Sequence, residues 1–313
     1  MSAPPHVRHG GAGGAGGPVV QLMMLLHSAI SAGTYLAAKR GLAELGPFEL
    51  ALVRFALAAA IYLPLLRRAG RALDRRDWPR FALAGLVGVT LNQTLFLSGM
   101  RLTSAGHGAL LYALSPIFVF LLAWSRLGER ATPTKVGGIL LAFLGTAVVL
   151  FSRGLLGPSA SAPLQGDLLV LLAVVAWSLY TVISKPLAEK YGAVVTTGWA
   201  LVLGTLIYLP LGLALGDLPR LATLSRGGWG AVLYLAVLTN AVSWLIYAWA
   251  LSRAEVSRVA VWSNLQPVLT ALFAWSLYGE QLTPPLVAGG TLVLTGVFLA
   301  ERSDGGLKAA VSR

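Results

Sequence analysis

Cysteine is absent from all 313 residues, so neither a disulfide framework nor thiolate chemistry is available, and the redox compartment leaves no mark. Charge is nearly as scarce. Asp, Glu, Lys and Arg make up 12% of the chain, against about 25% in an ordinary soluble domain. With 56% hydrophobic residues and a mean hydropathy of +0.74, a soluble globular domain is excluded. Acidic residues number 12, and none falls mid-way along a long apolar stretch, so a relay of membrane-embedded carboxylates finds no support. Histidine occurs four times, with His6 and His9 in a Gly-, Pro- and Ala-rich amino-terminal segment. No cluster has metal-ligand spacing, no cofactor is called for, and no paired carboxylates or activated nucleophile point to an enzyme.

What the chain does have is apolar length. Ten stretches approach the roughly 20 residues needed to cross a bilayer core: about 19–38, 47–66, 78–99, 104–124, 133–152, 166–185, 193–215, 229–250, 257–277 and 284–301. The excess of basic residues, a net +12, tests their orientation. Ten crossings with an internal amino terminus put 17 of the 24 Lys and Arg in the cytoplasm and 6 opposite, with Arg54 inside a span. The positive-inside rule therefore predicts both termini in the cytoplasm. The basic segment at 67–80 is read as topology signal and contact for lipid headgroups, with no nucleic-acid partner. The first stretch lacks a strongly basic region ahead of it and carries His27, Lys39 and Arg40, which predicts an uncleaved helix rather than a signal peptide.

A hairpin occurs twice. Positions 109–145 and 260–296 match at an offset of 151, sharing Pro116/Pro267, Ala123-Trp124-Ser125 with Ala274-Trp275-Ser276, Gly128-Glu129 with Gly279-Glu280, and Thr132-Pro133 with Thr283-Pro284. A weaker match at offset 146 pairs Leu25-Leu26 with Leu171-Leu172 and Lys39 with Lys185. The expected fold is an all-α membrane protein of ten transmembrane helices in two repeats, 18–152 and 166–302. A linker at 153–165 joins them, flanked by a disordered tail at 1–17 and a carboxy-terminal tail at 303–313. Five helices per repeat is an odd number, so the second enters the membrane inverted, as in many alternating-access carriers. Pro116 and Pro267 are expected to interrupt helices at equivalent places and are hinge candidates. Gly137, Gly138, Gly145, Gly289, Gly290 and Gly296 mark close helix packing.

The stretch "SPIFVFLLAWSRLGERATPTKVGGILLAFLGTAVVL" resembles the EamA family of the drug/metabolite transporter superfamily: Ser-Pro in a helix, a small and aromatic run, Gly-Glu-Arg, then Pro before a Gly-rich helix. The copy "QPVLTALFAWSLYGEQLTPPLVAGG" repeats it, with Gln266 for Ser and Gln281 for Arg, and "ALVRF" at 51–55 is similar to that family's second helix. The resemblance implies a ten-helix carrier exporting amino acids or related metabolites, in some members aromatic ones, across the inner membrane. A monomer is compatible with it.

Candidate binding residues follow from polarity where lipid would exclude it. Arg54 costs roughly 2.5–3.5 kcal/mol to insert; it reads either as a cation for a substrate carboxylate or as a structural tie. His27, Ser31, Thr34 and Tyr35 share one helical face. His27 there is open to two readings, a proton carrier or a packed neutral imidazole. Asn240, Ser243, Trp244 and Tyr247 share another face, with Asn92, Gln93 and Phe96 at the equivalent place in the third stretch. Trp177 and Tyr180 of the sixth stretch, Trp262 and Gln266 of the ninth and Tyr112 of the fourth complete the set. Buried amides need partners, which predicts a shared polar cavity between the first, third, fourth and eighth stretches, with help from the sixth and ninth. Trp78, Trp229 and Trp275 read instead as interfacial anchors, and Glu129 and Glu280 as loop caps. The competing functional classes are a passive channel and a lipid-modifying membrane enzyme.

Overall fold

A computed structural model describes residues 17–70, 72–103, 108, 111–152, 164–269, 272 and 284–302. Every regular element among them is helical. In chain order these are α1 (Pro18–Leu42), α2 (Pro47–Ala69), α3 (Arg75–Leu102), α4 (Ser115–Leu127) and α5 (Pro133–Ser152). They continue as α6 (Leu164–Tyr191), α7 (Ala193–Leu215), α8 (Arg226–Leu251), α9 (Val256–Val261) and α10 (Pro284–Arg302). Six of them, α1, α2, α3, α6, α7 and α8, are individually long and apolar enough to cross a membrane. The expected amino-terminal tail, the carboxy-terminal tail, most of the linker, and Trp275, Glu280 and Gln281 lie outside the described residues.

The bundle reverses the pattern of a soluble protein. Large apolar side chains such as Leu22, Leu36, Leu206, Leu213 and Phe298 face outward, while Ala, Ser and Thr fill much of the interior. Lipid supplies no hydrophobic drive between helices, so small residues that let backbones touch hold them together. At the α5–α10 contact a Cβ on Gly138 or Gly145 would strike the α10 backbone, and one on Gly289 or Gly296 would strike that of α5. Gly137 faces open space and Gly290 has only ordinary contact with Val268, so the glycines split into interface and bystander sets. Gly85 and Gly204 similarly bring α3 onto α7.

Polar ties recur at repeat-related places. Lys39 Nζ, at the end of α1, donates to the carbonyls of Met100 (2.5 Å) and Thr103 (2.6 Å) at the end of α3. Lys185, 146 residues on, donates from α6 to Leu251 (2.7 Å) and Ala254 (2.9 Å) at the end of α8, each 151 residues on. Terminal carbonyls carry the negative end of the helix dipole, so an ammonium is the suitable cap. Both α3 and α8 also contain a π-helical segment, Leu86–Leu91 and Tyr234–Ser243. These wider turns are common where a side chain must be re-aimed.

The connections divide between two ends. At one, Lys190 pairs with Asp77 (2.5 Å) and Lys135 with Glu255 (2.7 Å). At the other, Thr103 donates to Asp167, and Ser225 donates to Glu44 from Oγ (2.6 Å) and from its backbone N–H (2.8 Å). The Ser225 hydroxyl and then its N–H hold the Glu44 carboxyl below its usual range against desolvation, with the smallest contribution from Arg40. That support is present at neutral pH and is lost as pH falls through the lowered value.

The prolines differ from expectation in placement. Residues 113–114 form a turn, and Pro116 sits in the first turn of α4, where its missing N–H is no loss. After α9 a 3-10 turn at Trp262–Asn264 comes before the helical stretch 265–269, in which Pro267 is third. In both halves the break lies ahead of the proline, which starts a new helical segment instead of kinking a continuous one.

Gly296→Val should lose about 1–3 kcal/mol through overpacking. Gly137→Ala should be neutral or slightly stabilising, since helical Ala is favoured over Gly by roughly 0.5–1 kcal/mol. Thermal unfolding in detergent micelles separates the two.

Candidate functional site

α1 and α8 are joined along their length by short polar side chains. His27 Nδ1 lies 3.1 Å from the Ser243 carbonyl and 2.7 Å from Ser243 Oγ. Ser31 Oγ is 3.1 Å from Ser243 Oγ, and Thr34 Oγ1 is 3.0 Å from Thr239 Oγ1. Tyr234 donates to the Ile30 carbonyl at 2.7 Å. These contacts account for the polar face of α1. They also fix His27 against α8, as the packed-imidazole reading expects.

A second chain of bonds starts from α2. Arg54 is 1% exposed, and its Nη2 donates to Gln93 Oε1 on α3. Gln93 donates to Asn92 Oδ1, and Asn92 Nδ2 donates to Tyr112 Oη (2.9 Å) and to the Ala173 carbonyl of α6 (2.6 Å). Arg54 Nε and Nη1 find no partner among the described residues. Nor do either of the amide atoms of Asn240, which is 0% exposed within the π segment of α8.

Both chains border one central cavity. It is lined from α1 by His27, Ser31, Thr34 and Tyr35, from α2 by Arg54, and from α3 by Asn92, Gln93 and Phe96. Tyr112, Trp177 of α6, Thr239, Asn240 and Trp244 of α8, and Ser263 and Gln266 after α9 complete the wall. Among the described residues Arg54 is its single permanent charge, and no acid lines it. The space offers about 80 Å³ to water-sized centres, where one water needs about 10–15 Å³. That is room for a few waters.

The walls carry two aromatic groups. Tyr35, Phe96 and Tyr112 meet edge to face at 5.4–6.2 Å on one side. On the other, Trp177 packs on Trp244 at 5.4 Å. Tyr180 and Tyr247, expected on the cavity, stand behind this tryptophan pair at 5.2–5.3 Å. Trp262 also departs from expectation: its carbonyl accepts from Ser28 Oγ (2.9 Å) and its Nε1 donates to Glu301 Oε1 (2.9 Å). It packs beside the cavity instead of lining it.

Sequence reasoning missed Thr239 and Ser263, and it left α2 out of the helices grouped around the cavity although it singled out Arg54. The π segment shifts the register of α8, so Thr239 and Asn240 face the cavity together, which a 3.6-residue period does not foresee. Ser263 sits in a 3-10 turn, outside any helical face. Glu129 does cap: its Oε1 accepts from the Val256 N–H (2.6 Å) and its other oxygen from Ser257 Oγ, at the start of α9.

An apolar helical bundle around a central cavity lined by buried polar and aromatic side chains defines a membrane protein that handles a small solute. The chain belongs to the EamA-like transporter family, which matches residues 19–151 and again 164–302. It is 31% identical over 280 residues to an uncharacterized transporter of Archaeoglobus fulgidus, covering 89% of this chain and 96% of the relative. A probable terminal-alkyne amino-acid exporter of Streptantibioticus cattleyicolor is 32% identical over 276 residues, covering 87% and 88%. One crystal structure has the same fold, with a TM-score of 0.74 at 22% identity, covering 90% of this chain and 96% of that one. The protein is a membrane transporter.

Breaking the Arg54–Gln93 pair from one side should be worse than removing the charge. Gln93→Leu leaves a buried guanidinium with no acceptor and should destabilise by about 3–5 kcal/mol. Arg54→Met removes the charge with its desolvation and should unfold near the wild-type temperature in micelles.

Proposed function

We propose that the chain is a secondary carrier that exports an amino acid or a closely related carboxylate metabolite across the inner membrane by alternating access. The observation that carries this is Arg54, a buried cation on the cavity wall with two nitrogen atoms that have no partner among the described residues. A guanidinium presents paired N–H groups that match a carboxylate, and burial makes the match stronger than it is in water. Asn240 offers a neutral donor and acceptor on the same cavity, and with no acid among the described wall residues an ammonium group would meet amide oxygens and aromatic faces. Trp177, Trp244, Phe96 and Tyr35 suit an apolar or aromatic side chain. The naming of one relative as an amino-acid exporter agrees with this chemistry.

The architecture of this reading is ten helices in two inverted repeats with cytoplasmic termini. Support comes from the paired ties of Lys39 and Lys185, the paired π segments, and the division of the connections between two ends. The family's double match agrees. The breaks before Pro116 and Pro267 flank the cavity and serve as the hinges about which the halves rock. His27, Asn92, Gln93, Tyr112 and Gln266 shape the binding surface, and Tyr180, Tyr247 and Trp262 support it from behind.

Counterflow in proteoliposomes tests the reading: unlabelled amino acids are loaded one at a time and entry of the labelled form is followed. Saturable accumulation is expected, and Arg54→Met should raise the half-saturating concentration by about 10- to 100-fold, the worth of hydrogen bonds to a charged group. Non-saturating flux without counterflow would mean a channel.

A further inference from the structure

No acid lines the cavity among the described residues, but a charged cluster lies beyond it. Where the α4–α5 connection meets the starts of α5 and α9 and the end of α10, three carboxylates, Glu129, Glu255 and Glu301, gather with two cations, Lys135 and Arg258. Lys135 is 0% exposed, Arg258 and Glu301 are 6% exposed, and Glu129 is largely covered. Two of the carboxylates already pair with Lys135. Glu129 caps α9 with both oxygens and lies 3.5 Å from Lys135. Glu255 accepts from Lys135 at 2.7 Å and faces Arg258 at 3.2 Å.

Glu301 is the remaining one. Its Oε1 accepts from the Trp262 indole at 2.9 Å, while its Oε2 is buried without a hydrogen-bond partner among the described residues. Arg258, whose Nε also faces Glu255 at 3.2 Å, is the cation that acts on it through space. The neighbouring Arg302 turns away to lie over the Phe298 ring at 4.0 Å. A buried carboxylate oxygen with no donor is costly unless it carries a proton, and the cluster holds one more negative charge than positive.

We propose that Glu301 is a proton-binding site whose occupancy is coupled to the cavity. The proton adds to Oε2 from water on the side of the α4–α5 connection, and no other bond changes. Its route of influence is short. Trp262, bonded to Glu301, is the first residue of the 3-10 turn that carries Ser263, and Gln266 follows, both on the cavity wall. The Trp262 carbonyl also accepts from Ser28, next to His27 on α1. This gives the carrier proposed above an ion to exchange against its solute, and that coupling rests on the carrier reading.

The test uses the full chain in proteoliposomes, as wild type, Glu301→Gln and Glu301→Asp. Difference infrared spectra across a pH step read the proton directly. A protonated-carboxyl band should appear in the wild type, shift in Glu301→Asp, and vanish in Glu301→Gln. Glu301→Gln should keep counterflow and lose accumulation driven by an imposed pH gradient, and Glu301→Asp should restore that accumulation. The proposal is overturned if the band survives in Glu301→Gln, if that variant still responds to the gradient, or if wild-type counterflow ignores the gradient. Absence of counterflow from the wild type would instead sink the carrier reading alone, because the infrared band needs no solute.

Discussion

Within hydrocarbon no water stands ready to satisfy a polar group, and the whole bundle is organised by that shortage. Helices solve it for the backbone, but the side chains that function requires must find partners on neighbouring helices. The α1–α8 seam does so with serine, threonine and histidine. The path from Arg54 to Gln93, Asn92 and the Ala173 carbonyl does so across three helices. Where the partners run out, at Arg54 Nε and Nη1 and at the Asn240 amide, the cavity begins. At Arg54 and Asn240, unmet hydrogen-bonding capacity therefore lies where a solute can use it.

The same constraint explains what packing does here. Because lipid is as apolar as leucine, leucine faces outward, and contact between helices falls to glycine pairs such as Gly138 and Gly145 against Gly289 and Gly296. The α5–α10 contact is thus a matter of geometry, decided by atoms that are missing from the side chains.

Much of this was legible because the alphabet of a membrane segment is small. A polar residue amid leucines stands out, so Asn92, Gln93, Arg54, Asn240 and the face from His27 to Tyr35 could be picked by type and spacing alone, and they meet on one cavity. Aromatic residues carry less information. Tyr180, Tyr247 and Trp262 have the same composition signal as Trp177 and Trp244 but lie a layer further out, and only depth within the bundle distinguishes them. Backbone irregularity was the other blind spot. Neither the π segments of α3 and α8 nor the turns before Pro116 and Pro267 follow from helix periodicity, since they arise where tertiary contacts outweigh the ideal hydrogen-bond pattern. Glu301 escaped notice because it sits at a helix end by sequence, where acids are ordinarily solvated, and only the fold buries it.

The lysine ties have a mechanical meaning. α1 is joined to α3 by Lys39, α3 to α6 by Asn92 and by Thr103 with Asp167, α6 to α8 by Lys185, and α8 back to α1 by His27 and Ser243. Four stiff rods fastened in a closed circuit form a linkage like a four-bar frame. The two lysine joints sit at opposite ends of the rods, so the frame is fastened near each of its ends by an ammonium on helix-terminal carbonyls.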